Sequence, residues 1–288
     1  MFPIKKLRIS ASLTLHGAPG EDIGQHIRNG LAFHKQVGFD AADFPIRYMR
    51  FMGENWQPYI ETAADDAHSL GLRFEVCHLP YGISMEPTAE EMETFSRSVF
   101  RAMDAAKILG VDHAVLHPNT TTQPLSDFDP QIQYDRVMQH LSPFADYAAK
   151  IGLSIVVENM RLVPQSYPVH RYCGDPEELC QIADALGIGI CWDFGHAHIN
   201  GLKQSEALQY VGKRLKVLHV NDNFADDDLH VPPFVGTNDW KDSMQGLSAI
   251  GFDGLFNYEV GSARVPLAAR ESFARYLVSA ANELLDMM

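Results

Sequence analysis

The 288-residue chain contains no run of about 18 apolar residues, the length a membrane-spanning helix requires. Its first residues show no apolar export signal, so export is not expected. There are four cysteines, Cys77, Cys173, Cys180 and Cys191, and no two are spaced as a CxxC pair. Two of them lie inside apolar runs, so they read as small buried hydrophobes rather than a metal or disulfide framework. A reduced, cytoplasmic chain is the expectation. Basic residues are scarce, 23 against 37 acidic, which leaves a formal net charge of −14. That balance speaks against non-specific attachment to nucleic acid or to an anionic membrane. The G-x-G-x-x-G fingerprint and the P-loop are both missing, which removes the main signs of a nucleotide-binding open sheet. What the chain has in quantity is histidine, 13 residues of it.

Short apolar runs alternate with longer helical patterns along the whole chain. Strands are predicted over 7–13, 41–46, 72–79, 113–117, 154–158, 188–193, 215–221 and 254–259. Helices are predicted over 22–37, 59–70, 88–109, 130–151, 176–186, 204–213, 239–250 and 266–285. Thr88 and Glu91 form a capping-box pair, and Asp175-Pro176 reads as an N-cap followed by a first-turn proline. Gly38, Gly71, Gly110, Gly152, Gly187 and Gly251 stand where left-handed C-terminal caps belong. No linker divides the chain. Eight βα units in residues 1–288 predict one α/β domain, a closed (β/α)8 TIM barrel.

Strands buried on both faces should be apolar throughout. Here six of the eight break that rule at the same end. Strands three to eight end on or just before His78, His117, Glu158, Asp193 with His196, His219, and Glu259. In a barrel this end is the C-terminal mouth, where active sites are built. Glu158, Asp193, His219 and Glu259 form an oxygen and nitrogen donor set suited to Mn, Mg, Co or Zn. Without a cation, three converging carboxylates would repel one another until one took up a proton. The loop after the seventh strand adds Asp228-x-His230, whose side chains point the same way in an extended segment. His113 sits at the wrong end of its strand, and His16, His26, His34, His68, His140 and His170 fall on helices or loops; none is given a function. His198 is left between a site role and a hydrogen bond to its turn.

At these residues the chain resembles the xylose isomerase-like barrel superfamily, over nearly its whole length. The matching pieces are His78-Leu79-Pro80-Tyr81, His117-Pro118, Val157-Glu158-Asn159, Asp193-Phe194-Gly195-His196-Ala197, His219-Val220-Asn221-Asp222, the Asp228/His230 loop to Asp239-Trp240, and Glu259. The superfamily includes sugar isomerases and epimerases and the endonuclease IV type of abasic-site nuclease. Similarity to the epimerases implies one divalent metal on Glu158, Asp193, His219 and Glu259. It also implies a metal-stabilised enediolate with Glu158 and Glu259 as the acid/base pair, and His196 on substrate oxygens. Similarity to the nuclease implies up to three zinc ions on His78, His117, Glu158, Asp193, His196, His219, Asp228, His230 and Glu259. Relatives often form dimers or tetramers, which implies a homo-oligomer.

The loop 221–239 carries no Lys or Arg and has four aspartates, Asp222 and Asp226 to Asp228. Among the mouth loops only Arg47, Arg50, Arg161, Arg171 and Arg264 are basic candidates. A DNA groove needs more cations than that. Phe51, Met52, Trp56, Phe234 and Trp240 are expected to wall a small pocket. The expected activity is therefore isomerisation or epimerisation of a sugar or sugar derivative, in preference an unphosphorylated one. The alternatives are a zinc phosphodiesterase, a dehydratase or lyase on a cyclitol-type substrate, and a binding protein without catalysis.

Overall fold

The computed structural model describes residues 7–17, 22–47 and 55–288. Arg50, Phe51 and Met52 lie outside the described residues. In chain order the elements are β1 (Arg8–Ser12), α1 (Ile23–Val37), β2 (Ala41–Phe44), α2 (Trp56–Ser69), β3 (Phe74–His78), α3 (Ala89–Leu109), β4 (His113–Leu116), β5 (Gln123–Pro124), α4 (Pro130–Ile151), β6 (Ile155–Glu158), β7 (Val169–His170), α5 (Pro176–Leu186), β8 (Gly189–Asp193), α6 (Phe194–Ile199), α7 (Gln204–Val211), β9 (Leu215–His219), α8 (Trp240–Ile250), β10 (Leu255–Asn257) and α9 (Arg270–Leu285). Eight strands close into a parallel barrel in the order β1-β10-β9-β8-β6-β4-β3-β2, as predicted.

The expected punctuation is in place. The capping box at Thr88 and Glu91 is complete, and all six helix-ending glycines have positive φ. Asp175 occupies the N-cap of α5, but its side chain makes no capping bond and lies 3.9 Å from His170 Nε2 instead. Three features were not predicted: the one-and-a-half-turn α6, the antiparallel ribbon of β5 with β7, and short 3-10 turns such as Leu267–Ala269 before α9. All are too short to carry a periodic signal.

Two apolar cores sit on either side of the sheet. The larger one packs the outer strand faces against the helices. The smaller one fills the barrel with Ala41, Val76, Val115, Val156, Cys191, Val217 and Leu255, one from each of seven strands. Inward-facing positions recur every second residue. The next inward step on these strands is therefore Asp43, His78, His117, Glu158, Asp193, His219 and Asn257, with Glu259 one further step along. The parallel strands thus raise a polar layer directly above an apolar plug. Among the described residues no helix is long and apolar enough to cross a membrane.

Candidate active site

The polar layer is a compact cluster. His219 Nδ1 lies 3.2 Å from Glu158 Oε1 and 2.9 Å from Glu259 Oε2. Asp193 is fully buried beside them. The other oxygen of Glu158 faces a second pair, 3.4 Å from His78 Nε2 and 3.2 Å from His117 Nε2. Those two imidazole nitrogens stand 3.0 Å apart. A third group forms where Asp228 meets His196 Nε2 at 3.4 Å and His230 Nε2 at 3.1 Å. Asp228 and His230 do reach the mouth, though not as the expected extended pair, since His230 has a left-handed φ of 48°.

Backbone carbonyls orient the rings. His78 Nδ1 donates to the Leu79 carbonyl, His196 Nδ1 to the Asn159 carbonyl and His230 Nδ1 to the Glu259 carbonyl. Each leaves Nε2 turned to a carboxylate, which is how metal-ligating histidines are commonly presented. Supporting amides hold the carboxylates. Asn221 Nδ2 donates to Asp193 Oδ2 at 2.7 Å, and Asn159 both donates to the Asp193 carbonyl and accepts its N–H. Gly195 permits the close approach: a Cβ there would stand 2.0 Å from Asn221 Oδ1.

Charge and burial compete here. Burial would push the Glu158 carboxyl up, but His219 and His117 outweigh it and hold it well below the usual range. Glu259 is held low in the same way, chiefly by His219. Burial would depress His219, yet Cys191, Glu259 and Glu158 leave it well above its ordinary value. Burial likewise opposes protonation of His196 and His230, but the surrounding carboxylates raise them to about 9 and about 10. His78 behaves differently: burial dominates and lowers it to about 4, so it is a neutral imidazole at pH 7.

Glu158 Oε2, His219 Nδ1 and Asp228 Oδ1 are buried and make no hydrogen bond. Buried ligand atoms converging on shared points without well-formed hydrogen bonds are what a cation would satisfy. Within the described residues, ligand atoms come within 4.8 Å of one another in His78/His117/Glu158, in Glu158/Asp193/His219/Glu259 and in His196/Asp228/His230. A fourth group joins Cys191 to Glu158 and His219. Burial pushes the Cys191 thiol far up in the metal-free site. The fifth, His170/Asp175/Glu178, lies outside the mouth cluster. His198 stands apart too, 2.9 Å from Thr237 Oγ1. His113 bonds Ser154, as suits a structural residue.

A cavity of about 370 Å³ opens over the cluster, lined by His78, His117, Glu158, His196, Asp228, His230 and Glu259. Its apolar wall is Tyr81, Ile83, Met85, Phe95, Leu116 and Met160. This corrects the expected wall. Trp56 packs partly buried against the helical core. Phe234 is 47% exposed, and Trp240 is 4% exposed under the rim. Neither this cavity nor the larger neighbouring one of about 830 Å³ is lined by any of the three. Trp240 turns inward because its Nε1 donates to Asp222 Oδ2 at 2.9 Å.

Asp222 is the residue that sequence reasoning missed. Fully buried, it also accepts from the backbone N–H groups of Asn223, Phe234 and Asn238, and so ties down the loop carrying Asp228 and His230. Its signal was an aspartate beside Asn221 at a strand end. His140, given no role, lines the cavity. Of the mouth arginines, Arg47 pairs with Glu259 at 3.2 Å and Arg161 with Asp228 at 3.0 Å.

Solved structures share the fold. A D-tagatose 3-epimerase-like protein superposes with a TM-score of 0.72 at 18% identity, covering 96% of this chain and 99% of that one. An L-ribulose 3-epimerase gives 0.73 at 15%, covering 97% and 95%. By sequence, an uncharacterised protein of Methanocaldococcus jannaschii is 29% identical over 181 residues, 61% of this chain and 60% of the relative. An inosose isomerase of Bacillus licheniformis is 24% identical over 168 residues, 55% and 57% respectively. The alignments thus span about three fifths of these relatives. A family model described as xylose isomerase-like TIM barrel matches residues 31–278, and the chain belongs to that family.

Proposed function

We propose that the chain is a divalent-metal-dependent isomerase or epimerase acting on a sugar or sugar derivative. The observation that carries this reading is the pair Glu158 and Glu259, both held ionised, flanking His219 in one donor set with Asp193. A cavity of about 370 Å³ suits a small molecule. The fold is shared with sugar epimerases, and one sequence relative is an inosose isomerase. A divalent cation on Glu158, Asp193, His219 and Glu259 would supply Lewis acidity toward a carbonyl and its neighbouring hydroxyl.

One glutamate removes the proton α to the carbonyl. For epimerisation the other returns a proton on the opposite face; for isomerisation the proton returns to the adjacent carbon. Neutral His78 can accept a hydrogen bond from a substrate hydroxyl. Exchange of the substrate α-hydrogen with solvent deuterium tests the assignment. Loss of exchange in Glu158→Gln and in Glu259→Gln is expected, and full exchange in both variants would refute it.

A second reading is supported by the two further donor groups, His78/His117/Glu158 and His196/Asp228/His230. Together with the first they suit three zinc ions and phosphodiester hydrolysis. Against it stands the pairing of Arg47 and Arg161 with site carboxylates, which leaves little to hold a DNA backbone. Metal analysis of the purified chain separates the two: one ion per chain supports the isomerase, and three zinc ions with nicking of abasic DNA support the hydrolase.

A further inference from the structure

The cavity has one wall that the proton-transfer chemistry does not use. It is formed by Asn119, Thr120 and Thr121 after β4, by Arg161 after β6, and by Arg171 after β7. Arg171 differs from Arg47 and Arg161. Its Nε donates to Thr120 Oγ1 at 3.2 Å and its Nη1 to the Arg161 carbonyl at 3.0 Å. These two bonds stretch the side chain between loops and fix it in place. Of the five guanidinium N–H groups, three are left over. Among the described residues no carboxylate lies within ion-pairing distance of Arg171, whereas Arg47 and Arg161 each have one.

A half-buried guanidinium with no carboxylate in direct contact is costly to hold. Burial and the neighbouring Arg161 outweigh the longer-range pull of Glu158 and Asp228 and lower its pKa to about 10, so it remains charged at neutral pH. The rigid fork of an arginine matches the oxygens of a phosphate or carboxylate two at a time. Arg171 and Glu158 line the same cavity, so one small molecule can reach both.

We propose that the substrate carries an anionic group, a phosphate ester or a carboxylate, and that Arg171 with Thr120 and Thr121 receives it. This rests on the isomerase reading for the word substrate, and on the cavity alone for the anion site. It replaces the expectation of an unphosphorylated sugar. That expectation looked for cations in the loops after β9 and β10, whereas Arg171 stands after β7 and lines the cavity that holds Glu158.

Two measurements on the full metal-loaded chain test the site. In the first, inorganic phosphate and acetate are titrated calorimetrically into the wild type, Arg171→Lys and Arg171→Gln, with metal content checked in each. Wild-type binding of one probe, weakened about 10- to 100-fold in Arg171→Gln and partly retained in Arg171→Lys, is expected; whichever probe binds identifies the anion. Equal binding in wild type and Arg171→Gln, or no binding of either probe to the wild type, would overturn the proposal. In the second, wild-type deuterium exchange is compared on ketoses offered free, as terminal phosphates and as terminal carboxylates. A higher kcat/KM for an anionic member is expected, with the selectivity ratio collapsing in Arg171→Gln through KM. Preference for the free sugars would overturn the proposal. Arg171-dependent anion binding with no exchange on any sugar would leave the site standing and refute the isomerase reading.

Discussion

Two layers of the same barrel interior, one β-step apart, have opposite chemistries. The lower is Ala41, Val76, Val115, Val156, Cys191, Val217 and Leu255. The upper, two residues along each strand, is Asp43, His78, His117, Glu158, Asp193, His219 and Asn257. Backbone geometry is common to both, so the difference lies in the side chains alone. The lower layer gains from being sealed, at about 25 cal/mol per Å² of apolar surface removed from water. The upper one carries the cost of buried charge, offset by mutual pairing and by hydrogen bonds such as Asn221 to Asp193. Stability and chemistry are thus separated by about 7 Å along each strand.

The largest expected effect falls in the upper layer. Glu158→Gln removes the carboxylate shared by two donor groups, and should lower deuterium exchange by about 1,000-fold and reduce bound metal; exchange kinetics and elemental analysis check this. The lower layer should answer in the opposite currency. Leu255→Ala is expected to cost about 2–4 kcal/mol in denaturant unfolding with metal content unchanged. Loss of metal in that variant would break the separation of the layers.

A pH experiment sharpens it. In the metal-free protein, prepared with a chelator, His196 and His230 are raised to about 9 and about 10, above the ordinary 6.5. Their contribution to stability is full below pH 6.5 and is lost as pH rises through 9 and 10. Melting temperature should therefore fall between pH 7 and pH 10, less so in His230→Gln, as thermal unfolding would show. The smallest effect is expected at Trp240→Phe. It deletes the indole bond to Asp222 and should cost about 1–2 kcal/mol without changing KM. A changed KM would return Trp240 to the pocket wall.

The barrel was legible because its signals are periodic and repeated: glycine after helix, apolar run, polar strand end. The mouth residues were legible for the same reason, since parallel strands fix which end their last residues occupy. The pocket wall was not. Phe234 sits in a loop, and Trp240 at the start of α8 that follows it; their placement depends on four hydrogen bonds to the Asp222 side chain, a tertiary fact with no sequence period. Arg171 was visible only as one arginine among several. That it lacks a carboxylate partner emerges once Arg47 and Arg161 are seen to have theirs.

The closure of the barrel has a consequence for how the protein is made. Glu158 ends β6, while Glu259 follows β10, which completes the ring against β1. A nascent chain that has emerged as far as β9 holds Glu158, Asp193 and His219, yet lacks the Glu259 carboxylate that completes their donor set. Under the proposed metal assignment, full affinity would arise late in synthesis, and metal uptake would report that the ring has shut.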